Sequence, residues 1–145
     1  PLLAEYLSDH PETNFCHFNV ERAQGPCVIK RLRGCGAGCE YVAITPEGDI
    51  YPCHQFVGNE DYKLGSLYDG TFDKELSGRF AGLNIYTREE CRDCWARFYC
   101  SGGCSASNLL VNGDIKKPHR VGCELERKRL ECAIALRAIA AGMAE

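Results

Sequence analysis

Apolar positions recur at helical spacing most clearly near the two ends of the chain. Leu2, Leu3, Tyr6 and Leu7 do so before His10 and Pro11, which predicts a short amphipathic helix that stops there. Over Glu124 to Met143, Leu125, Cys132, Leu136, Ile139 and Met143 share one face, which predicts the longest helix of the chain. Asn14 to Gly34, with Gly25, Pro26 and little periodicity, reads as an irregular linker. The pattern then changes to that of strands. Tyr41, Val42 and Ile44 predict a strand over Glu40 to Thr45, Pro46 to Asp49 a turn, and Ile50 to Cys53 the returning strand, so a β-hairpin has cysteines at both ends. Asn59 to Leu67 reads as a loop with a short strand, and Thr71 to Phe80 as a helix capped by Thr71. Cys91 to Cys104 reads as a loop, Ser105 to Val111 as a short helix and Asn112 to Pro118 as a turn. The fold class expected is α+β: a small metal-organised domain with a β-hairpin, cysteine-rich loops and a C-terminal helix.

Composition narrows the classes of partner. With 145 residues, 45% hydrophobic and 26% charged, the chain suits one globular domain with a modest core. A formal net charge of -3 gives no electrostatic reason to bind a nucleic-acid backbone. The longest hydrophobic stretch, Cys132 to Met143, is interrupted by Arg137 and is too short to span a bilayer, so no membrane partner is expected. The first residue is Pro1, and Pro1 to Asp9 reads as the tail of a preceding segment.

The chemistry lies in eleven cysteines: Cys16, Cys27, Cys35, Cys39, Cys53, Cys91, Cys94, Cys100, Cys104, Cys123 and Cys132. Their odd number, the lack of a signal peptide and their short spacings favour metal over disulfides, and a reducing cytoplasm as the compartment. Two residues separate Cys91 from Cys94, five separate Cys94 from Cys100, three separate Cys100 from Cys104, and eighteen separate Cys104 from Cys123. A CxxC turn brings two sulfurs to one centre, and further cysteines close the shell. With Cys35, Cys39 and Cys53 around the hairpin, the thiolates number eight, enough for two four-thiolate centres. Structural zinc sites usually use paired CxxC knuckles, and this chain has one CxxC, so iron-sulfur clusters fit better. Bacterial ferredoxins send the last cysteine of a compact run to the other cluster. The same partition here assigns Cys91, Cys94, Cys100 and Cys123 to one cluster and Cys35, Cys39, Cys53 and Cys104 to the other. For Cys35 and Cys39 the alternative is that only one of them binds.

Other residues have simpler readings. Cys132 lies on the apolar face of the last helix and reads as a small buried hydrophobe, while Cys16 and Cys27 fall outside the pattern. His54, beside Cys53, is a candidate hydrogen-bond donor to a cluster sulfur. Trp95, Phe98 and Tyr99 are expected to form an apolar shell that limits solvent access, and Gly102 and Gly103 to let backbone amides approach sulfur.

The spacing Cys35, twelve residues, Gly48, four residues, Cys53, then Cys91, Cys94, Cys100, Cys104 and Cys123 resembles the seven-cysteine SPASM domain. That domain is the auxiliary-cluster module of radical S-adenosylmethionine enzymes that modify peptides. The runs CGAGCEYVAITPEGDIYPCHQFVG, Cys35 to Gly58, and CRDCWARFYCSGGCSASN, Cys91 to Asn108, are similar to maturases of six-cysteine SCIFF peptides, which form thioether cross-links. The resemblance implies two auxiliary [4Fe-4S] clusters, a radical S-adenosylmethionine barrel as partner and a cysteine-rich precursor peptide as substrate. It divides the chain into a linker and short helix following a barrel over 1–34, a cluster domain over 35–123 and a helix over 124–145. The CxxxCxxC motif that binds the S-adenosylmethionine cluster does not occur here, so that cofactor belongs to the barrel and this chain is not expected to catalyse alone. Two other classes would use the same thiols: a stand-alone electron carrier, with reversible clusters, and a zinc-stapled interaction module, without sulfide.

Overall fold

A computed structural model describes residues 2–18, 20 and 28–142 of the chain. Cys27 and Met143, both singled out in the sequence, lie outside them. The chain divides into two compact units, Pro1–Pro26 with Arg120–Glu145, and Cys27–His119.

In the first unit, α1 spans Leu2–Asp9 and ends just before the predicted stop at His10 and Pro11. A 3-10 turn follows over Cys16–Phe18, and both pack on α7, Arg120–Ala140. Arg129 pins the turn by donating from Nη1 to the carbonyl of His17 at 2.6 Å, and Phe15 and Phe18 meet edge to face at 5.0 Å. The buried residues of α7 are Leu130 and Ala133. Leu125, placed on the apolar face by sequence spacing, is 67% exposed. The apolar stripe is short because the first half of the helix is mostly charged, and helical spacing alone cannot tell a packed leucine from a solvated one.

The second unit contains α2, Val28–Arg33, a helix within the stretch that reads as irregular linker. The backbone N–H of Ile85 donates to the carbonyl of Leu32 at 3.0 Å and anchors its end. Next comes an antiparallel meander of four short strands in sequence order: β1 Ala43–Ile44, β2 Asp49–Tyr51, β3 Gly65–Ser66 and β4 Thr71–Phe72. The predicted hairpin is its first pair, with Ala43 opposite Tyr51 and Ile44 opposite Ile50. Gly48 makes that reversal possible: its φ of 83° is left-handed, and a Cβ there would lie 2.7 Å from the ring of Tyr68.

The expected helix over Thr71 to Phe80 is shorter than its pattern suggested. Thr71 and Phe72 pair as β4, and α3 runs Lys74–Ala81. Thr71 is occupied in the preceding turn, where its Oγ1 and N–H donate to Asp69 Oδ1 at 2.6 and 3.0 Å. The cap falls to Asp73, whose Oδ1 accepts from the N–H of Leu76 at 2.8 Å. Leu76 and Phe80 of α3 then reach a core of Ile50, Tyr51, Cys53, Phe56, Leu64 and Leu83, with Phe56 and Phe80 edge to face at 5.4 Å.

Beyond this core, the run Cys91 to Cys104 forms two single-turn helices rather than a loop throughout: α4, Glu89–Arg92, and α5, Arg97–Cys100. It leads into α6, Ser105–Asn112, which ends at Gly113 in the left-handed conformation. The mixture of helices with a small antiparallel sheet makes the fold α+β. No described helix is long and apolar enough to cross a membrane.

Candidate metal centres

The first centre is built on the hairpin. Cys35 follows the end of α2, and the segment after it is tied to the sheet and to α3. The N–H of Gly38 lies between the carbonyls of Tyr41 and Pro52, at 2.9 and 3.0 Å, and Ser77 Oγ donates to the carbonyl of Gly38 at 2.7 Å. This fastens the Cys35–Tyr41 segment beside Cys53, which leaves β2 for a 3-10 turn over His54–Phe56. Cys104 arrives from far along the chain as the N-cap of α6.

Three of these thiols act electrostatically on one hydroxyl. Burial and then Cys35, against which its hydroxyl rests, push Tyr41 up to about 12, with further contributions from Cys53 and Cys104. Burial also pushes the Cys53 thiol up, and Cys104 and Cys35 add to the rise while the N–H groups of Gln55 and Phe56 oppose it. Cys104 goes the other way. Burial raises it, but the amides of Ser107 and Ala106, the Ser107 hydroxyl and Gln55 outweigh burial and leave it below the ordinary thiol value. Its Sγ closes no capping hydrogen bond, so this is the field of the first turn of α6 and of the Gln55 amide, whose Nε2 donates to Sγ at 3.8 Å. Cys39 shares the segment, but its Sγ donates instead to the carbonyl of Gly36 at 3.3 Å.

The second group runs from α4, which carries Cys91, through the turn at Cys94 to Cys100 at the end of α5. Cys91 is buried, Cys94 and Cys100 are half-buried, and the N–H of Cys94 donates to the carbonyl of Cys91 at 3.1 Å. Arg97, between Cys94 and Cys100, donates from Nη1 to the Cys94 carbonyl at 3.3 Å and stacks over Phe98 at 4.8 Å. Cys123 is half-buried on α7, in the unit Pro1–Pro26 with Arg120–Glu145. No disulfide joins two of the described cysteines. Among the described residues, no three cysteine, histidine or acidic side chains converge on a single metal ion. A multinuclear cluster binds its thiolates at separate irons and needs no such convergence, so this all-sulfur donor set fits an iron-sulfur group.

Several sequence expectations change at the level of side chains. Gln55, not the exposed His54, reaches a cysteine. Trp95, Phe98 and Tyr99 are 49%, 38% and 41% exposed, so they do not form the closed apolar shell expected of them. Cys132 is half-buried on α7 and Cys16 is exposed. Tyr41 and Arg88 carry no ligand signature of their own. Their positions, two residues after Cys39 and three before Cys91, are the only hint the sequence holds.

Residues 35–95 match SPASM, an iron-sulfur cluster-binding domain. The matched segment includes Cys35, Cys39, Cys53, Cys91 and Cys94 and stops before Cys100, Cys104 and Cys123. Similar proteins include an uncharacterized protein of Archaeoglobus fulgidus, 32% identical over 98 residues, covering 65% of this chain and 23% of that protein. A PqqA peptide cyclase of Xanthomonas axonopodis pv. citri is 31% identical over 84 residues, 54% of this chain and 22% of the cyclase. A serine-type anaerobic sulfatase-maturating enzyme of Klebsiella aerogenes is 27% identical over 99 residues, 61% of this chain and 23% of the enzyme. The chain thus spans less than a quarter of the length of each of these relatives.

Proposed function

We propose that this chain is the auxiliary-cluster part of a radical S-adenosylmethionine peptide maturase, and that it holds two [4Fe-4S] clusters. Cys35, Cys39, Cys53 and Cys104 would hold the first, and Cys91, Cys94, Cys100 and Cys123 the second. The observation that carries this reading is that Gln55, two residues after Cys53, donates to Cys104 Sγ at 3.8 Å, because Cys104 comes from the distant run that otherwise serves the second centre. Cys35, Cys53 and Cys104 also all act on the Tyr41 hydroxyl. When bound, such clusters supply an acceptor for an electron, and the first would offer an open iron to a substrate thiolate where Cys39, whose Sγ donates to the Gly36 carbonyl, is not a ligand and only three cysteines hold it.

The residues favour the first centre for contact with substrate. Cys53 is buried and fixes one side, while Cys35, Cys39 and Cys104 are exposed, which leaves an approach for a peptide cysteine. The likeness to a peptide cyclase and to a sulfatase-maturating enzyme supports a polypeptide as substrate. The resemblance to SCIFF maturases narrows the proposed product to thioether cross-links in a cysteine-rich ribosomal peptide. The barrel that binds S-adenosylmethionine would be the partner.

Cys104→Ser tests the partition. Anaerobically purified protein should lose about half of its iron and sulfide while the remaining cluster keeps its spectrum. Iron content unchanged by the substitution would contradict the assignment of Cys104.

A further inference from the structure

Arg88 has no part in the centres as assigned, yet it is 4% exposed. It caps α4 through its backbone, and its carbonyl accepts from the N–H of Cys91 at 3.0 Å. Its guanidinium points inward. Nη1 donates to the carbonyls of Ile115 and Lys116 at 2.7 and 2.9 Å, and Nη2 donates to Ser105 Oγ at 3.1 Å. The Nε edge lies on Gly102, where an added Cβ would come within 3.0 Å of it and where φ is 89°. A glycine is therefore required at the midpoint between Cys100 and Cys104 to admit the arginine, a different task from the approach of amides to sulfur expected of it.

The hydrogen-bond partners of this guanidinium are all neutral. Among the described residues no carboxylate closes an ion pair with Arg88. Guanidinium groups stay charged in proteins, and a buried charge without a counter-charge is strongly unfavourable. The residue nonetheless stands beside the second centre, since its carbonyl holds the N–H of Cys91 and its Nε lies against Gly102, two residues after Cys100. Burial lowers the pKa of Arg88, and the negative groups that act against burial are Cys91 first, then Asp114, Cys100 and Glu90. Two of the four are cysteines of the second centre.

We propose that Arg88 is the fixed counter-charge of the centre formed by Cys91, Cys94 and Cys100, a positioning residue that raises the reduction potential of a cluster held there. This rests on the reading that those thiolates bind a cluster. A four-thiolate iron-sulfur cluster is net anionic and becomes more so on reduction, so a buried cation beside it favours the reduced form. The donor fork of Arg88 also ties the start of α4 to α6 and to the Ile115–Lys116 turn, which keeps the charge in place.

Arg88→Lys and Arg88→Gln separate charge from hydrogen bonding. Each variant of the anaerobic protein is assayed for iron and sulfide and titrated spectroscopically with a graded reductant. Lysine keeps the charge without the fork, so its cluster potentials should stay near those of the parent. Glutamine keeps some hydrogen bonding without the charge, so one cluster should shift to lower potential, or be lost, while the other is unmoved. Equal behaviour of the two variants, whether both unshifted or both depleted, would overturn the counter-charge and leave Arg88 a structural tie. Parent protein free of iron and sulfide would instead overturn the cluster reading beneath it.

Discussion

Tyr41 and the cysteines around it show how little of a metal centre is visible in the ligands alone. Cys53 and Cys104 are proposed for one cluster, yet burial raises the thiol of one and the start of α6 with Gln55 lowers the thiol of the other. In cluster-free protein this difference has a direct consequence, because the thiolate is the nucleophile in alkylation. Cys104, exposed and with a lowered pKa, should react with iodoacetamide before the buried Cys53. Its rate should fall as the pH drops through its own lowered pKa, while Cys53 gains reactivity only at higher pH. Peptide mass mapping after brief labelling reads the order, and prior labelling of Cys53 would contradict this account of the site. The cysteines proposed as ligands stand out in the sequence because CxxC and its neighbours are local spacings. Gln55 and Arg88 do not stand out, since a lone glutamine gains meaning only when the fold brings it to a sulfur and a lone arginine only when the fold buries it beside the cysteine segment.

At the scale of elements, the meander and α3 form the scaffold that presents Cys35 and Cys53. Asp73→Ala removes the cap of α3 and should cost about 1 kcal/mol in denaturant unfolding. Phe80→Ala opens the core beneath the hairpin, where Phe80 packs on Phe56, and should cost about 3–5 kcal/mol. A loss from Phe80→Ala no larger than that from Asp73→Ala would show that the packing does not hold the scaffold. The hairpin was legible because Thr45 to Asp49 carries its own turn chemistry, with Gly48 at the left-handed position. β3 and β4 were harder to read, since two-residue strands leave no alternation to detect. The same limit applies to α2, α4 and α5, which are four to six residues long and set by tertiary contacts more than by propensity. α7 was legible as a helix, but its buried face was not, because Leu125 fits the spacing and still faces water.

For the whole molecule, the separation of the proposed ligands along the chain makes metal binding part of folding. Cys35 and Cys104 stand at opposite ends of the segment that contains the sheet and α3–α5. A cluster that joins them would close that loop and stabilise the folded state. Removal of iron with a chelator under reducing conditions should therefore lower the thermal unfolding midpoint, which circular dichroism can follow. An unchanged midpoint would place the stability in the protein core alone. The central claim is that the thiols serve iron-sulfur clusters, and the most direct measurement is the content of iron, acid-labile sulfide and zinc in anaerobically purified protein, with its visible absorption. The account predicts about eight irons and eight sulfides per chain and a brown protein. Zinc without sulfide in a colourless protein would contradict it.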